Sequence, residues 1–225
     1  MKRKRYWEID AVRGAAVAGM VMYHLLVDIE IIFLIPIGVY KIPLLLFART
    51  VATVFILLLG ISAAIKFERI RGDGVRRVGL SFGKRALQIG LGAVAISIVT
   101  YFMFPNDFIF FGILHFMAVA LVLMVPFLYL GKNLLLTTVA VLIIILSFVK
   151  QSLFKLNFSS LDYFPLLPWF GIVILGIVIG RIVKFDKKYK TNLLTRIGHK
   201  SLLIYLLHQP ILWGTLWAVK TIIRQ

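Results

Sequence analysis

The chain contains no cysteine. Disulfides, thiolate nucleophiles and thiolate-ligated metals are therefore excluded, and no other metal site is expected. Acidic residues are scarce as well, nine against 26 lysines and arginines, which leaves a formal net charge of +17. No internal repeat or low-complexity tract interrupts the chain, so residues 1–225 read as a single domain. What is abundant is apolar. The hydrophobic fraction is 61% and the mean hydropathy is +0.97, against about 45–50% apolar residues in an ordinary soluble domain. A soluble fold of this length has too little interior to hide so much apolar surface, whereas a bilayer has enough. The positive charge does not mark a nucleic-acid binder, because the cations sit in blocks between long apolar runs, as membrane-flanking segments do.

A run of roughly 20 apolar residues crosses the hydrocarbon core of a bilayer. Seven such runs occur, at 9–35, 43–65, 86–104, 108–130, 134–149, 164–183 and 201–223. Turn signals separate them: Pro36 and Gly38, Gly72-Asp73-Gly74, Pro105-Asn106-Asp107 and Gly131-Lys132-Asn133. The first run is too long for a signal-peptide core and no small-residue cleavage site follows it, so it is expected to stay as a helix. The expectation is an all-α, polytopic membrane bundle of about seven transmembrane helices in the cell membrane, with the lipid bilayer as its solvent and no nucleic-acid partner. A homo-oligomer is compatible with this pattern.

The cations orient the bundle. With the N-terminus in the cytoplasm, the cytoplasmic segments collect Lys2 to Arg5, seven cations between Lys66 and Arg85, Lys132, and seven between Arg181 and Lys200. That makes 19, against five on the other side: Lys41, Lys150, Lys155, Lys220 and Arg224. The asymmetry predicts N-in, C-out.

Ionisable residues inside a span cost at least about 2.5–3.5 kcal/mol near the bilayer centre, so each needs a partner or a task. The first run holds Asp10, Arg13, His24, Asp28 and Glu30. Arg13 and His24 are nearly three helical turns apart, on one face and about 16 Å apart along the axis. His24 and Asp28 share that face one turn apart. In the predicted orientation Arg13 lies near the cytoplasmic end, and His24 and Asp28 lie in the outer half. Arg49, His115, Tyr205 and His208 fall at similar depth in other runs, and Asp162 and Tyr163 open the sixth from outside. A polar interior of this kind admits a histidine acting as a base. Structural alternatives stand beside it: an Asp10–Arg13 ion pair at the interface, an Arg49 that snorkels, and His115 or His208 bonded to a neighbouring helix. Gly176 and Gly180 form a GxxxG, read as close helix packing. The basic stretch from Lys66 to Arg85 either sets topology or holds an anionic cofactor.

The stretch Trp7-Glu8-Ile9-Asp10-Ala11-Val12-Arg13-Gly14, continuing to Tyr23-His24, resembles the opening of the heparan-alpha-glucosaminide N-acetyltransferase catalytic-domain family, particularly its small prokaryotic members. The Arg13-to-His24 spacing also resembles the first helix of the acyltransferase type 3 membrane family. Three more segments resemble the same small members: Phe111-Gly112-Ile113-Leu114-His115-Phe116, Asp162 to Gly171, and Ile197-Gly198-His199 running on to His208-Gln209-Pro210. They occur in the family order.

The resemblance implies a membrane acyltransferase that takes an acyl group, acetyl above all, from cytosolic acyl-CoA and delivers it to a glycan or other small acceptor, a sugar hydroxyl or amine, across the membrane. It implies that His24 is the base or acyl carrier, oriented by Asp28. Arg13, with Arg76, Arg77 and Arg85, would hold the CoA phosphates. Arg49, His115, Asp162, Tyr163 and His208 would position the acceptor. Two readings from other classes compete. A transporter or flippase would use the same polar interior but normally shows repeats, and a b-type haem protein would ligate through His24, His115 or His208.

Overall fold

The computed structural model describes residues 5–153, 160–185 and 190–223, without the side chains of 148–153. Of the cations used for orientation, those at 2–4, 155, 187, 188 and 224 lie outside the described residues. The described chain is α-helical with no β-strand: α1 (Trp7–Phe33), α2 (Ile42–Ile70), α3 (Val75–Met103), α4 (Ile113–Leu123), α5 (Val125–Tyr129), α6 (Asn133–Leu153), α7 (Leu166–Ile182), α8 (Leu193–His199) and α9 (Ser201–Ile223). Among the described residues, four helices are long and apolar enough to cross a membrane: α1, α2, α3 and α9. Shorter apolar helices occupy 113–123, 133–147 and 166–182. Each apolar run read from the sequence thus carries a helix, the fourth run two of them.

Three local differences from the sequence reading have simple causes. The basic stretch from Lys66 to Arg85 is mostly helical: α2 and α3 run through it, and only the 3₁₀ turn Arg71–Asp73 and Gly74 (φ 91°) break it. Lysine and arginine are good helix formers, so a helix does not stop where the bilayer does. The fourth run begins as extended chain and turns helical only at Ile113, and Pro126 restarts it as α5. Finally, α8 lies in the basic stretch that was expected to be connecting chain. Its start is a reciprocal cap: Asn192 accepts from the Thr195 amide (2.8 Å) while the Asn192 amide donates to Thr195 Oγ1 (2.9 Å).

The contacts cluster into two compact units. The first comprises residues 1–55 and 184–225, and the second 56–183. In the first, α1 lies against α8 and α9. A Cβ on Gly14 would strike the Leu194 carbonyl of α8, and one on Gly198 would strike the Asp10 carbonyl of α1. The two backbones therefore touch, and only glycine at both positions permits it. Beyond α1 the chain turns sharply at Leu34 (φ 59°) and Gly38 (φ 78°). Glu30 holds this turn by accepting from the amides of Gly38 (2.7 Å) and Val39 (3.0 Å). Lys220 of α9 donates to the carbonyl of Ile32 (2.5 Å), placing a cation on the negative end of α1.

In the second unit α6 lies on α7, and α3 on α4. The GxxxG of α7 meets the second half of α2. A Cβ on Gly176 would strike the Leu57 carbonyl, one on Gly180 would come within 2.8 Å of the Ile61 carbonyl, and Gly60 faces back at Val173. This is the small-residue packing expected of these glycines.

Candidate active site

Of the sequence-predicted site residues, His24, Asp28 and His208 come together in the first unit. His24 is half-buried on α1. Its Nδ1 lies 2.9 Å from the carbonyl of Met20, one turn earlier. A carbonyl only accepts, so Nδ1 carries the hydrogen and Nε2 carries the lone pair. The backbone of α1 itself selects the tautomer a base requires. On α9, His208 repeats the arrangement, with Nδ1–H donating to the Tyr205 carbonyl at 2.7 Å. The two imidazoles meet edge to face with centroids 4.9 Å apart. No porphyrin fits between rings in such contact, so this pair is not the axial set of a haem.

Asp28 is 1% exposed. Its partners are on α9: Oδ1 accepts from Gln209 Nε2 at 2.7 Å and from Trp213 Nε1 at 2.8 Å. The tautomer of His24 is thus set by Met20, and Asp28 clasps α1 to the segment of α9 that carries His208. The sequence assigned no role to Gln209, which entered only within a motif, and did not single out Trp213. Their signal was present: two side chains with N–H donors, four residues apart in an apolar helix and so on one face. Pro210 lies between them and leaves the Leu206 carbonyl without its helical donor.

Near the start of α1, Asp10 is 4% exposed and surrounded by basic side chains. Arg13 binds it at 2.9 Å, His199 Nε2 of α8 at 3.1 Å, and Arg5 at 3.9 Å. Arg13 is therefore ion-paired, as one of the structural alternatives held, and His199 joins a cluster in which the sequence reading gave it no part. Trp7 lies beside this cluster with Lys190 4.9 Å above its ring. Arg49, in the first half of α2, is exposed.

The remaining candidates belong to the second unit. His115 Nε2 lies 3.2 Å from Ser97 Oγ, whose own hydrogen goes to the Ile109 carbonyl (2.5 Å). The hydroxyl can then only accept, so His115 donates through Nε2 and ties α4 to α3. Asp162 Oδ2 accepts from the Ile113 amide at 3.0 Å. A carboxylate 49 residues downstream in the chain thereby caps α4 and faces the positive end of its dipole. Tyr163, partly exposed, pairs its backbone with Phe111 in an isolated bridge. On α3, Arg76 and Arg77 are exposed, Arg77 reaching Asp73 at 3.4 Å, and Arg85 donates to Gln88 at 3.3 Å.

These features define a membrane-embedded helical protein with a backbone-oriented imidazole in a polar cluster between two long apolar helices. The model of the family described as "Heparan-alpha-glucosaminide N-acetyltransferase, catalytic" matches residues 5–210, and the chain belongs to that family. Membership makes it a transferase of the membrane acetyltransferase kind. No curated protein and no solved structure shows a significant match.

Proposed function

We propose that the chain transfers an acetyl group from cytosolic acetyl-CoA to a sugar hydroxyl or amine on the far side of the cell membrane, with the chemistry at His24 Nε2. The observation that carries this reading is the Met20 carbonyl on Nδ1, which leaves Nε2 as a lone pair beside a second, similarly oriented imidazole. Nε2 takes the proton of the acceptor O–H or N–H as that atom attacks the thioester carbonyl. The carbon–sulfur bond then breaks, and the proton passes on to the departing thiolate, giving free CoA. A route in which Nε2 first carries the acetyl group uses the same nitrogen. Asp28 acts on this site by holding α9, and hence His208, against α1.

Arg13 lies about 16 Å along α1 from His24, a separation that suits an extended acyl-bearing arm. Arg5 and His199 reach the same carboxylate, so Arg13 stands in a group of basic side chains at which a phosphate of the donor would bind. Arg76, Arg77 and Arg85 contribute long-range attraction for an anionic donor. The test is transfer of radiolabelled acetyl from acetyl-CoA by protein in nanodiscs, comparing wild type with His24→Gln. Undiminished transfer by the variant removes His24 from the chemistry, and failure of the wild type to bind acetyl-CoA removes the reading.

A further inference from the structure

The connection from α1 to α2 folds back along α1 instead of arching away from it. Residues 34–41 are irregular, yet Val39 within them is 0% exposed. The Tyr23 hydroxyl donates to the Val39 carbonyl at 3.4 Å. Tyr23 precedes the end of α1 at Phe33 by ten residues, or about 15 Å of helix, more than a tyrosine side chain spans. The turn therefore descends beside the outer part of the helix. Irregular backbone at membrane depth persists only where protein covers it and meets its polar groups. Glu30 meets them here, one carboxylate oxygen accepting from both the Gly38 and the Val39 amide. Most of the segment otherwise faces outward: Leu34, Ile35, Pro36, Tyr40 and Lys41 are exposed. Tyr23 joins this fastening to the site, its ring standing edge to face with that of His24, centroids 5.9 Å apart. His208 covers another side of the same imidazole.

We propose that residues 34–41 are an outer strap beside His24, latched by Glu30 and Tyr23, whose release opens the route to Nε2 from outside. What travels that route rests on the acetyl-transfer reading above, while the strap itself does not. The fastening is concentrated: a single oxygen of Glu30 holds two successive amides, so loss of one group frees the turn. Both amides lie outside α1 and α2, so release breaks no helical hydrogen bond. Gly38 at φ 78° supplies a bend that side-chain-bearing residues rarely adopt. Closed, the strap keeps outside water from the imidazole, and open, it admits a substrate, as closing segments do at other sites.

The chain has no native cysteine, so introduced cysteines report access directly. His24→Cys, Val39→Cys and Tyr40→Cys are each made in the whole chain, with and without Glu30→Ala, in sealed membrane vesicles. A membrane-impermeant methanethiosulfonate is added on the face from which Tyr40→Cys reacts. Tyr40→Cys should react fast whichever residue stands at 30. Val39→Cys and His24→Cys should react slowly while Glu30 is present. Glu30→Ala should speed both by about tenfold, the shift expected from losing a hydrogen bond to a charged group. Glu30→Gln keeps an acceptor oxygen and should restore slow labelling. Gly38→Ala is the second opening variant, for the case that Glu30→Ala does not fold. It strains the turn and presses a Cβ onto the Lys41 side chain at 2.8 Å, leaving α1 untouched. Val39→Cys as reactive as Tyr40→Cys in the latched protein overturns the proposal. So does a His24→Cys rate that neither opening variant raises. If labelling responds as expected while the wild type transfers no acetyl group, the strap stands and the acetyl-transfer reading falls.

Discussion

His24 and His208 stand edge to face, 4.9 Å between ring centroids, and each gives its Nδ1 hydrogen to a carbonyl of its own helix. They are 184 positions apart in the chain, yet they arrive with the same tautomer by the same device. A histidine that donates to the carbonyl three or four residues earlier needs no outside partner to expose Nε2.

Replacing His24 by alanine should lower acetyl transfer by about 10²–10⁴-fold, the usual contribution of a positioned acid–base group. Acetyl-CoA binding should survive, because the arginines at the start of α1 are untouched. Single-turnover acetyl transfer alongside equilibrium binding separates the two effects.

Asp28→Ala should destabilise the protein more than Asp28→Asn. Alanine strands the Gln209 and Trp213 donors in a buried site, at about 1–3 kcal/mol for each unmet group. Asparagine keeps an acceptor oxygen for them. Thermal unfolding in nanodiscs reads the order, and an alanine variant as stable as wild type would remove the clasp between α1 and α9.

Gly198→Ala and Gly214→Ala should act in opposite directions. The first drives a methyl group into the Asp10 carbonyl and forces α8 off α1, with a cost of about 1–3 kcal/mol. The second meets nothing within 4 Å in the interior of α9. There alanine is the better helix residue by about 0.5–1 kcal/mol. Paired melting curves test both signs.

Asp162→Ala should cost about 0.5–2 kcal/mol by removing the carboxylate that caps α4, and Asp162→Asn less, since its amide oxygen still accepts from Ile113. Thermal unfolding of the two variants makes the comparison.

The orientation is open to a clean assay because the chain has no native cysteine. Arg76→Cys should resist a membrane-impermeant maleimide in intact cells and react once the membrane is broken. Labelling from outside would reverse the predicted N-in arrangement.

The four motif segments sort into pairs in space. Trp7 to His24 meets Ile197 to Pro210 through Gly14, Gly198, Asp10 and His208 in the first unit. Phe111 to Phe116 meets Asp162 to Gly171 through Asp162 and the Phe111–Tyr163 bridge in the second. Sequence spacing put His115 at the depth of His24 and Asp162 at the outer opening of the sixth run. Within the second unit the structure gives each a partner that spacing did not show, Ser97 for one and the Ile113 amide for the other. Depth along a helix is readable from residue number, because the rise per residue is constant. The rotation that turns a side chain toward one neighbour or another depends on helices from elsewhere in the chain.

By itself the sequence determined that the chain is helical and membrane-embedded, since runs of this length and apolarity have no other stable environment. It also placed Arg13, His24 and Asp28 on one face of α1, and through its motifs it pointed to the acetyltransferase family. Only the tertiary structure decided the partners. Met20 rather than Asp28 sets the His24 tautomer, and Asp28 turns to Gln209 and Trp213. Asp10 gathers Arg13 and His199, and α8 docks on glycines. Hydrogen bonds act over about 3 Å and depend on angle, so which of several polar groups on a face are paired is settled by the approach of a second helix, which no periodicity within the first helix encodes.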